Sequence, residues 1–502
     1  MRRMGSLVRV FSLLLVLSWL GPGTTRAQAP AARKPNIILV LADDLGYNDV
    51  GAYGQKKIRT PNIDRLSNEG LRLTDHYSGS PVCAPSRAVL LTGLHSGHAY
   101  IRDNDEMDER GDVWHDPALE GQRPLPAGTF TMASMLKGAG YATAVVGKWG
   151  LGGPGSTGEP NKLGFDLFYG FLCQRVAHNH YPAYLWRNTT KVMLDNPGIY
   201  PHEKFPAGRD PNAVSSYERY SGKQYALDMM GEEARAFVRA NKDRPFFLYF
   251  APTIPHAALQ VPEDSLAEYS GVLSDTPYPG DKGYLPHRAP HAAYAAMITR
   301  LDREVGRLVE LVRELGLDRD TLIIFTSDNG PTFNGGTDST FFESASPFRG
   351  LKTMVYEGGI RVPMVARWPG KIAAGTVSAH ASAFEDYMPT FAEVAGVARP
   401  AGIDGVSMLP ALEGRAAAQK PHEYLYWEFQ GKQVVRMGSW KGIRNAATGG
   451  FELYDLAKDI AETTDVASAH ADIVTRIETI MRKARTESAL FPLVKANAKR
   501  AE

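Results

Sequence analysis

The residues most able to do chemistry gather in Ser80-Pro81-Val82-Cys83-Ala84-Pro85-Ser86-Arg87, which runs on through Ala88-Val89-Leu90-Leu91-Thr92-Gly93. Proline is tolerated in the first turn of a helix, so Pro85 predicts a helix through Leu91 with Cys83 at or just before its amino end. Unpaired backbone N–H groups and the helix dipole favour an anion there. Arg87, one turn further, adds a permanent positive charge facing the same way. This setting suits an activated thiolate beside an oxyanion, that is, a covalent nucleophile. The blander alternative is a structural disulfide between Cys83 and Cys173, the only two cysteines in the chain. The two readings exclude each other, because a sulfur locked in a disulfide cannot attack.

Asp43-Asp44 and Asp328-Asn329-Gly330 offer four more oxygen-bearing side chains. Such a hard ligand set suits calcium or magnesium and does not suit zinc. Adjacent carboxylates repel, and a divalent cation removes that penalty. Either pair alone is also ordinary turn chemistry. Lys148 and His256, like the two acidic pairs, each follow a short apolar run. In open α/β sheets the carboxyl ends of the strands form the edge where ligands bind. One Lys or His at a strand end is more often solvated than catalytic, but four coincidences at one edge weaken that account.

The elements that must position these groups are apolar runs at residues 37–41, 142–146, 246–250, 322–325 and 362–366. Each is apolar enough to be covered on both faces. Pro363 makes the last an edge strand at best. Helical periods over residues 62–69, 131–137, 224–240 and 292–315 alternate with these runs, with Gly70, Gly138 and Gly316 as stops. The alternation predicts an α/β domain on a largely parallel sheet. Between Pro400 and Pro421 the periodic pattern thins. Beyond it, strands are expected at 424–429, 434–437 and 451–456, with a closing helix over 471–484. The expected division is a leader at 1–29, a catalytic α/β domain at 30–400 and a smaller α+β subdomain at 401–502.

A chain of 502 residues with 43% hydrophobic content can bury a large core. Lys and Arg number 56 against 55 Asp and Glu. No overall field therefore draws the protein to nucleic acid or an anionic membrane. Arg2, Arg3 and Arg9 precede an apolar run over residues 10–20, and small residues end at Ala27-Gln28-Ala29. This reads as an export signal cleaved after Ala29, giving a periplasmic or secreted protein. A membrane anchor is the alternative, but the run is shorter than the roughly 20 residues a spanning helix needs. Cleavage removes four arginines and no acid, leaving 52 basic against 55 acidic residues. Asn188-Thr189-Thr190 is a glycosylation sequon, meaningful only in a host that glycosylates exported proteins.

Cys83-Ala84-Pro85-Ser86-Arg87 with the following Leu-Leu-Thr-Gly resembles the signature of the formylglycine-dependent sulfatases, arylsulfatase-like members of the alkaline phosphatase superfamily. In that family a separate maturation enzyme reads Cys-x-Pro-x-Arg and oxidises the cysteine to formylglycine. The resemblance continues in family order through Asn36-Ile37, Asp43-Asp44-Leu45-Gly46, Thr60-Pro61-Asn62-Ile63-Asp64-Arg65-Leu66, Gly147-Lys148-Trp149, Pro255-His256, Ser327-Asp328-Asn329-Gly330 and Arg349-Gly350-Leu351-Lys352. It thus covers the chain from about Pro35 to the C-terminal region.

The resemblance implies an alkaline-phosphatase-like fold, a large mixed, mainly parallel sheet between helices with a smaller C-terminal α+β subdomain. It also implies a sulfuric ester hydrolase in which the aldehyde made from Cys83 hydrates and one hydroxyl attacks sulfur. Asp43, Asp44, Asp328 and Asn329, completed by the modified Cys83, match the family's ligands to one divalent cation, calcium or else magnesium. Arg87 matches the residue that stabilises the hydrate, Lys148 and Lys352 those that hold sulfate oxygens, and His256 the acid for the leaving oxygen. One departure stands out: many members read Lys-Trp-His where this chain has Lys148-Trp149-Gly150, and His178 and His180 are candidates for the lost role. Arg102, Asn104 and the stretch containing His178 resemble loops of bacterial enzymes acting on sulfated sugars, so a sulfated sugar or aryl sulfate is the expected substrate. A phosphatase or phosphodiesterase of the same superfamily, or a non-catalytic sulfated-glycan binder, remain as rivals.

Overall fold

Apolar runs too greasy to face water on either side dictate the centre of this computed structural model. It describes residues 33–105 and 120–494 together with Met1. The export signal expected over residues 1–29 otherwise lies outside them. In chain order the strands are β1 (Asn36–Ala42), β2 (Leu71–Leu73), β3 (His76–Tyr77), β4 (Ala142–Lys148), β5 (Leu167–Phe171) and β6 (Tyr184–Arg187). They continue as β7 (Thr190–Met193), β8 (Phe246–Ala251), β9 (Thr321–Ser327), β10 (Met364–Arg367), β11 (Thr376–Ser378) and β12 (Ser382–Ala383). Ten of these form one sheet in the order β11-β2-β10-β9-β1-β8-β4-β5-β6-β7, while β3 and β12 pair separately. The central five, β9, β1, β8, β4 and β5, run parallel, and the flanks turn antiparallel through β10 on one side and β6 and β7 on the other. The result is the large mixed, mainly parallel sheet that the resemblance implied.

β1 shows how the core is divided. Its Ile38, Val40 and Ala42 enter an apolar layer with the helices Pro61–Asn68, Ala226–Ala240 and Pro290–Glu314. Its Ile37, Leu39 and Leu41 enter the opposite layer with the helices Cys83–Thr92, Met132–Gly138 and Tyr387–Val394. Strand alternation thus sends successive side chains to opposite faces, and both faces need an apolar residue. The second layer continues past residue 401, through Leu409 to Leu412. Among the described residues no helix is long and apolar enough to cross a membrane.

One strand sits elsewhere than expected. β10 is interior, paired with both β9 and β2, whereas Pro363 had predicted an edge. The proline lies one residue before the strand, so no ladder bond is asked of its missing N–H. The sequon residue Asn188 is in the left-handed region at φ 53°, and its Oδ1 accepts from Phe168 N at 2.9 Å and Asn161 Nδ2 at 3.1 Å. Here it acts as the turn residue between β6 and β7.

The C-terminal part folds as an antiparallel meander of β13 (Leu425–Phe429), β14 (Lys432–Met437), β15 (Trp440–Asn445) and β16 (Phe451–Asp455). The helix Ala471–Lys483 covers it with Ile477 and Met481. β15 was not expected, because Lys441, Gly442 and Arg444 break its apolar pattern. The fold accounts for two of them. A Cβ at Gly442 would lie 2.8 Å from Ile477 Cγ2, and Lys441 is fully buried between Glu357 at 2.9 Å and Glu462 at 2.8 Å. Removing one partner from such a network leaves uncompensated buried charge. Lys441→Met is therefore expected to cost about 3–5 kcal/mol in denaturant unfolding, and an unchanged midpoint would refute the account.

A second buried pair gives stability a pH signature. Burial pulls the His422 imidazole down, but Asp386, 2.8 and 2.9 Å away, outweighs it and lifts the group to about 9. A folded value above the unfolded one near 6.5 means the pair stabilises fully below about pH 6.5 and is lost as pH rises through about 9. The span corresponds to about 3 kcal/mol. Unfolding free energies of wild type and His422→Leu, compared from pH 6 to 9.5, should converge at the alkaline end.

Candidate active site

Parallel pairing sets the strand ends side by side. β1 and β9 finish together, with Ala42 opposite Ser327, so Asp43-Asp44 and Asp328-Asn329 emerge at one rim. Asp43 forms a bridge with Pro255, which brings the His256 turn beside them, and Lys148 is the last residue of β4. Asp44 takes φ 64°, a left-handed conformation that Asp enters more readily than most residues. Cys83 is the first residue of its helix, after Val82 in extended conformation, and Gly93 at φ 69° ends that helix. No local side chain caps the helix; instead Ala84 N donates to Asn104 Oδ1 at 3.0 Å.

The expected residues converge. Cys83 Sγ is 3.5 Å from Asp43 Oδ1 and 3.9 Å from Asp44 Oδ1. Lys148 Nζ lies 2.8 Å from Asp43 Oδ2, and Lys352 Nζ 2.8 Å from Asp44 Oδ2. Arg87 grips Asp328 Oδ2 through Nη2 at 2.8 Å and Nε at 3.1 Å, and donates to Lys148 O at 2.7 Å. Asn329 Nδ2 donates to Asp44 Oδ1 at 2.8 Å, and His256 Nε2 lies 3.5 Å from Asp44 Oδ2. All are buried. A cavity of about 200 Å³ opens onto Cys83, Lys148, His256 and Lys352.

Three carboxylates are thus interleaved with three permanent cations. Burial pushes Asp43 up, yet Lys148, His256, Arg87 and Lys352 together hold it well below the usual carboxylate range. Burial and the neighbouring Asp43 lift Asp328 to about 6. Burial also pushes the Cys83 thiol up to about 12, more than Lys148 and Lys352 draw it down. Against these protein charges burial favours the protonated thiol over an activated thiolate. Burial lowers His256 to about 3 despite the pull of Asp44.

The donor set fits a hard cation. Ligand atoms of Asp43, Asp44, Cys83 and His256 all lie within 4.8 Å of one another, and Asn329 Oδ1 is buried with no hydrogen-bond partner among the described residues. A stranded amide oxygen beside carboxylates is a ready calcium or magnesium ligand.

Other expectations need correction. Neither cysteine is in a disulfide, and Cys173 Sγ donates to Gly121 O at 3.3 Å. Arg102 does not face the cavity: its guanidinium is buried on Glu428 Oε1 at 2.7 Å and Thr486 O at 3.0 Å, joining the catalytic layer to the C-terminal meander. His180 is a brace, with Nε2 on His256 O at 2.9 Å and Nδ1 on Thr253 Oγ1 at 3.0 Å. His178 and Asn104 do line the cavity, and His178 stacks on His256 with ring centres 4.7 Å apart and planes 10° apart. Gly150 has φ 81°, and a Cβ there would meet Gln174 Cγ at 2.8 Å, so a histidine at this position would displace Gln174 and strain the backbone. Gln174 and Tyr284 line the cavity and were not anticipated. The strand-end rule points to Gln174, three residues past β5, whereas nothing in the irregular stretch around Tyr284 marks it out.

A family model described as Sulfatase matches residues 35–397, and one described as N-sulphoglucosamine sulphohydrolase, C-terminal, matches residues 351–487. Human arylsulfatase A is 34% identical over 86% of this chain and 77% of its own length. Mouse steryl-sulfatase is 33% identical over 79% and 68%, and dog N-acetylgalactosamine-6-sulfatase 30% identical over 96% and 85%. The crystal structure of Ps i-CgsB in complex with k-i-k-neocarrahexaose is 29% identical, with a TM-score of 0.71 over 90% of this chain and 92% of that one. With the family model spanning most of the chain and the buried acidic pairs packed against Cys83 and the basic residues, the chain belongs to the sulfatase family, the sulfuric ester hydrolases.

Proposed function

We propose that this enzyme hydrolyses sulfate esters of a carbohydrate, using formylglycine made from Cys83 and one divalent cation, calcium with magnesium as the alternative. The observation that carries the reading is the meeting of buried Asp43, Asp44, Asp328 and Asn329 with residue 83, Lys148, Lys352 and His256, the last four lining one cavity. The carbohydrate assignment draws on similarity to Ps i-CgsB, whose structure holds a neocarrahexaose, and to N-acetylgalactosamine-6-sulfatase. A phosphonate monoester hydrolase shares the fold at 20% identity, so comparing aryl sulfate with aryl phosphate separates the chemistries.

When bound, the cation would supply positive charge to a sulfate oxygen, and formylglycine at residue 83 would supply the nucleophilic oxygen. Asp43, Asp44, Asp328 and Asn329 hold the cation. With their carboxylate partners so engaged, Lys148 and Lys352 are left to hold the remaining sulfate oxygens. Arg87, clamped on Asp328 and on the carbonyl of Lys148, fixes the spacing between the acidic pair of β9 and the end of β4. His256 is neutral against the protein charges alone, and an arriving sulfate ester raises its proton affinity. It takes up a proton from water as the ester binds and delivers it from Nε2 to the leaving oxygen. Cys83 is buried, so its oxidation by the maturation enzyme must precede closure of the cavity. Export to the periplasm or medium, and the division at residues 400 and 401, belong to the same reading.

Peptide mass mapping of protein from a host with a competent maturation enzyme should show residue 83 lighter than cysteine, as sulfur is exchanged for oxygen. An intact thiol in active protein sinks the mechanism. Chelation should abolish turnover of a sulfated saccharide and calcium should restore it. Lys352→Ala should lower kcat/KM by about 10²–10³-fold, since it removes one donor aimed at developing charge.

A further inference from the structure

The wall of the cavity that carries His256 also carries Tyr284. This residue has φ 63°, a left-handed backbone that a bulky side chain rarely adopts, between Gly283 at φ 80° and Leu285. Such strain persists only where surrounding structure imposes it, and here the surroundings are tight. The Tyr284 ring packs against His202 with centres 4.9 Å apart, His178 at 5.1 Å and His256 at 5.7 Å. Gly335, itself at φ 69°, closes the other side: a Cβ there would lie 2.8 Å from Tyr284 Cδ2. The ring is therefore wedged in one orientation by three imidazoles and a glycine.

Its hydroxyl has no such fixed partner. Among the described residues no hydrogen bond to it is found, and Tyr284 lines the cavity with Cys83, His256 and Lys352. The charges of Lys352 and Asp44 both act on the phenol, which shares a cavity wall with Lys352 and residue 83. Burial keeps the phenol protonated, so it can only donate to an anion there. A donor whose ring is locked and whose hydrogen bond is unspent is preorganised for a ligand oxygen.

We propose that the Tyr284 hydroxyl donates a hydrogen bond to an oxygen of the bound sulfate group, beside Lys352 and next to the His256 side of the cavity. It is a sulfate-binding residue of this enzyme additional to the two lysines, and the aromatic wedge exists to hold it. No proton leaves the phenol, so the role differs from that of His256. The inference rests on the sulfatase reading only in taking sulfate as the ligand.

Tyr284→Phe keeps the ring and removes the donor, so the packing around His178, His202 and His256 is retained. Inorganic sulfate is titrated calorimetrically into the mature calcium-loaded wild type and variant, and kcat/KM on an aryl sulfate is measured after mass confirmation of residue 83. The expected result is about tenfold weaker sulfate binding with a similar fall in kcat/KM and an unchanged melting temperature, as for one lost hydrogen bond to a charged acceptor. Sulfate affinity within about twofold of wild type overturns the proposal. If the variant loses sulfate binding while converted wild type hydrolyses no sulfate ester, Tyr284 keeps its role and the hydrolase assignment falls. A wild type that binds no sulfate overturns both.

Discussion

Three carboxylates buried at the rim of a parallel sheet are the constraint to which the rest of this molecule answers. Asp43, Asp44 and Asp328 are removed from water, and each alone would be driven to protonate. Arg87, Lys148 and Lys352 meet them at hydrogen-bonding distance, so the charges survive burial. The balance holds only while β1, β4 and β9 end in register and the helix beginning at Cys83 points its amino end at the same spot. On the proposed function, a pocket so neutralised suits a divalent cation and an anionic ester together, since each compensates the other.

The C-terminal meander is part of that arrangement. The segment carrying Lys352 is irregular, yet it is pinned from the meander side: Arg349 Nη1 donates to Tyr454 Oη at 3.1 Å and to Glu462 O at 2.9 Å, and Glu357 N donates to Glu462 Oε2 at 2.7 Å. Lys441 neutralises Glu357 and Glu462 from within β15. On the far side Arg102 and Arg485 share Glu428, which ties the loop leading to Asn104 onto β13. Two buried ion networks thus transmit the position of the meander to opposite walls of the cavity.

The departure at Gly150 shows how local packing redirects a site. Glycine there, at φ 81°, lets the Gln174 side chain lie across the position, and Gln174 Nε2 reaches Asn104 Oδ1 at 3.4 Å. The same Asn104 oxygen accepts from Ala84 N at the start of the nucleophile helix. One amide pair therefore braces residue 83 from a wall that an imidazole does not occupy. On the opposite wall the rings of His178, His202, His256 and Tyr284 form a single aromatic block.

Most of the fold was legible in the chain itself. The five apolar runs, the four long helical periods and the residues following each strand announce a parallel sheet with a polar rim, because period and burial are local properties of a sequence. The match from Asp43 to Lys352 named the converging groups for the same reason. What the chain alone left open were matters of contact. The interior place of β10, the burial of Lys441 in a polar-looking β15, the turning of Arg102 toward Glu428 and the brace made by His180 all depend on what lies across a gap of many residues. Gln174 joins the cavity because strands distant in sequence end at one rim, and Tyr284 because an irregular stretch folds back against His178 and His256.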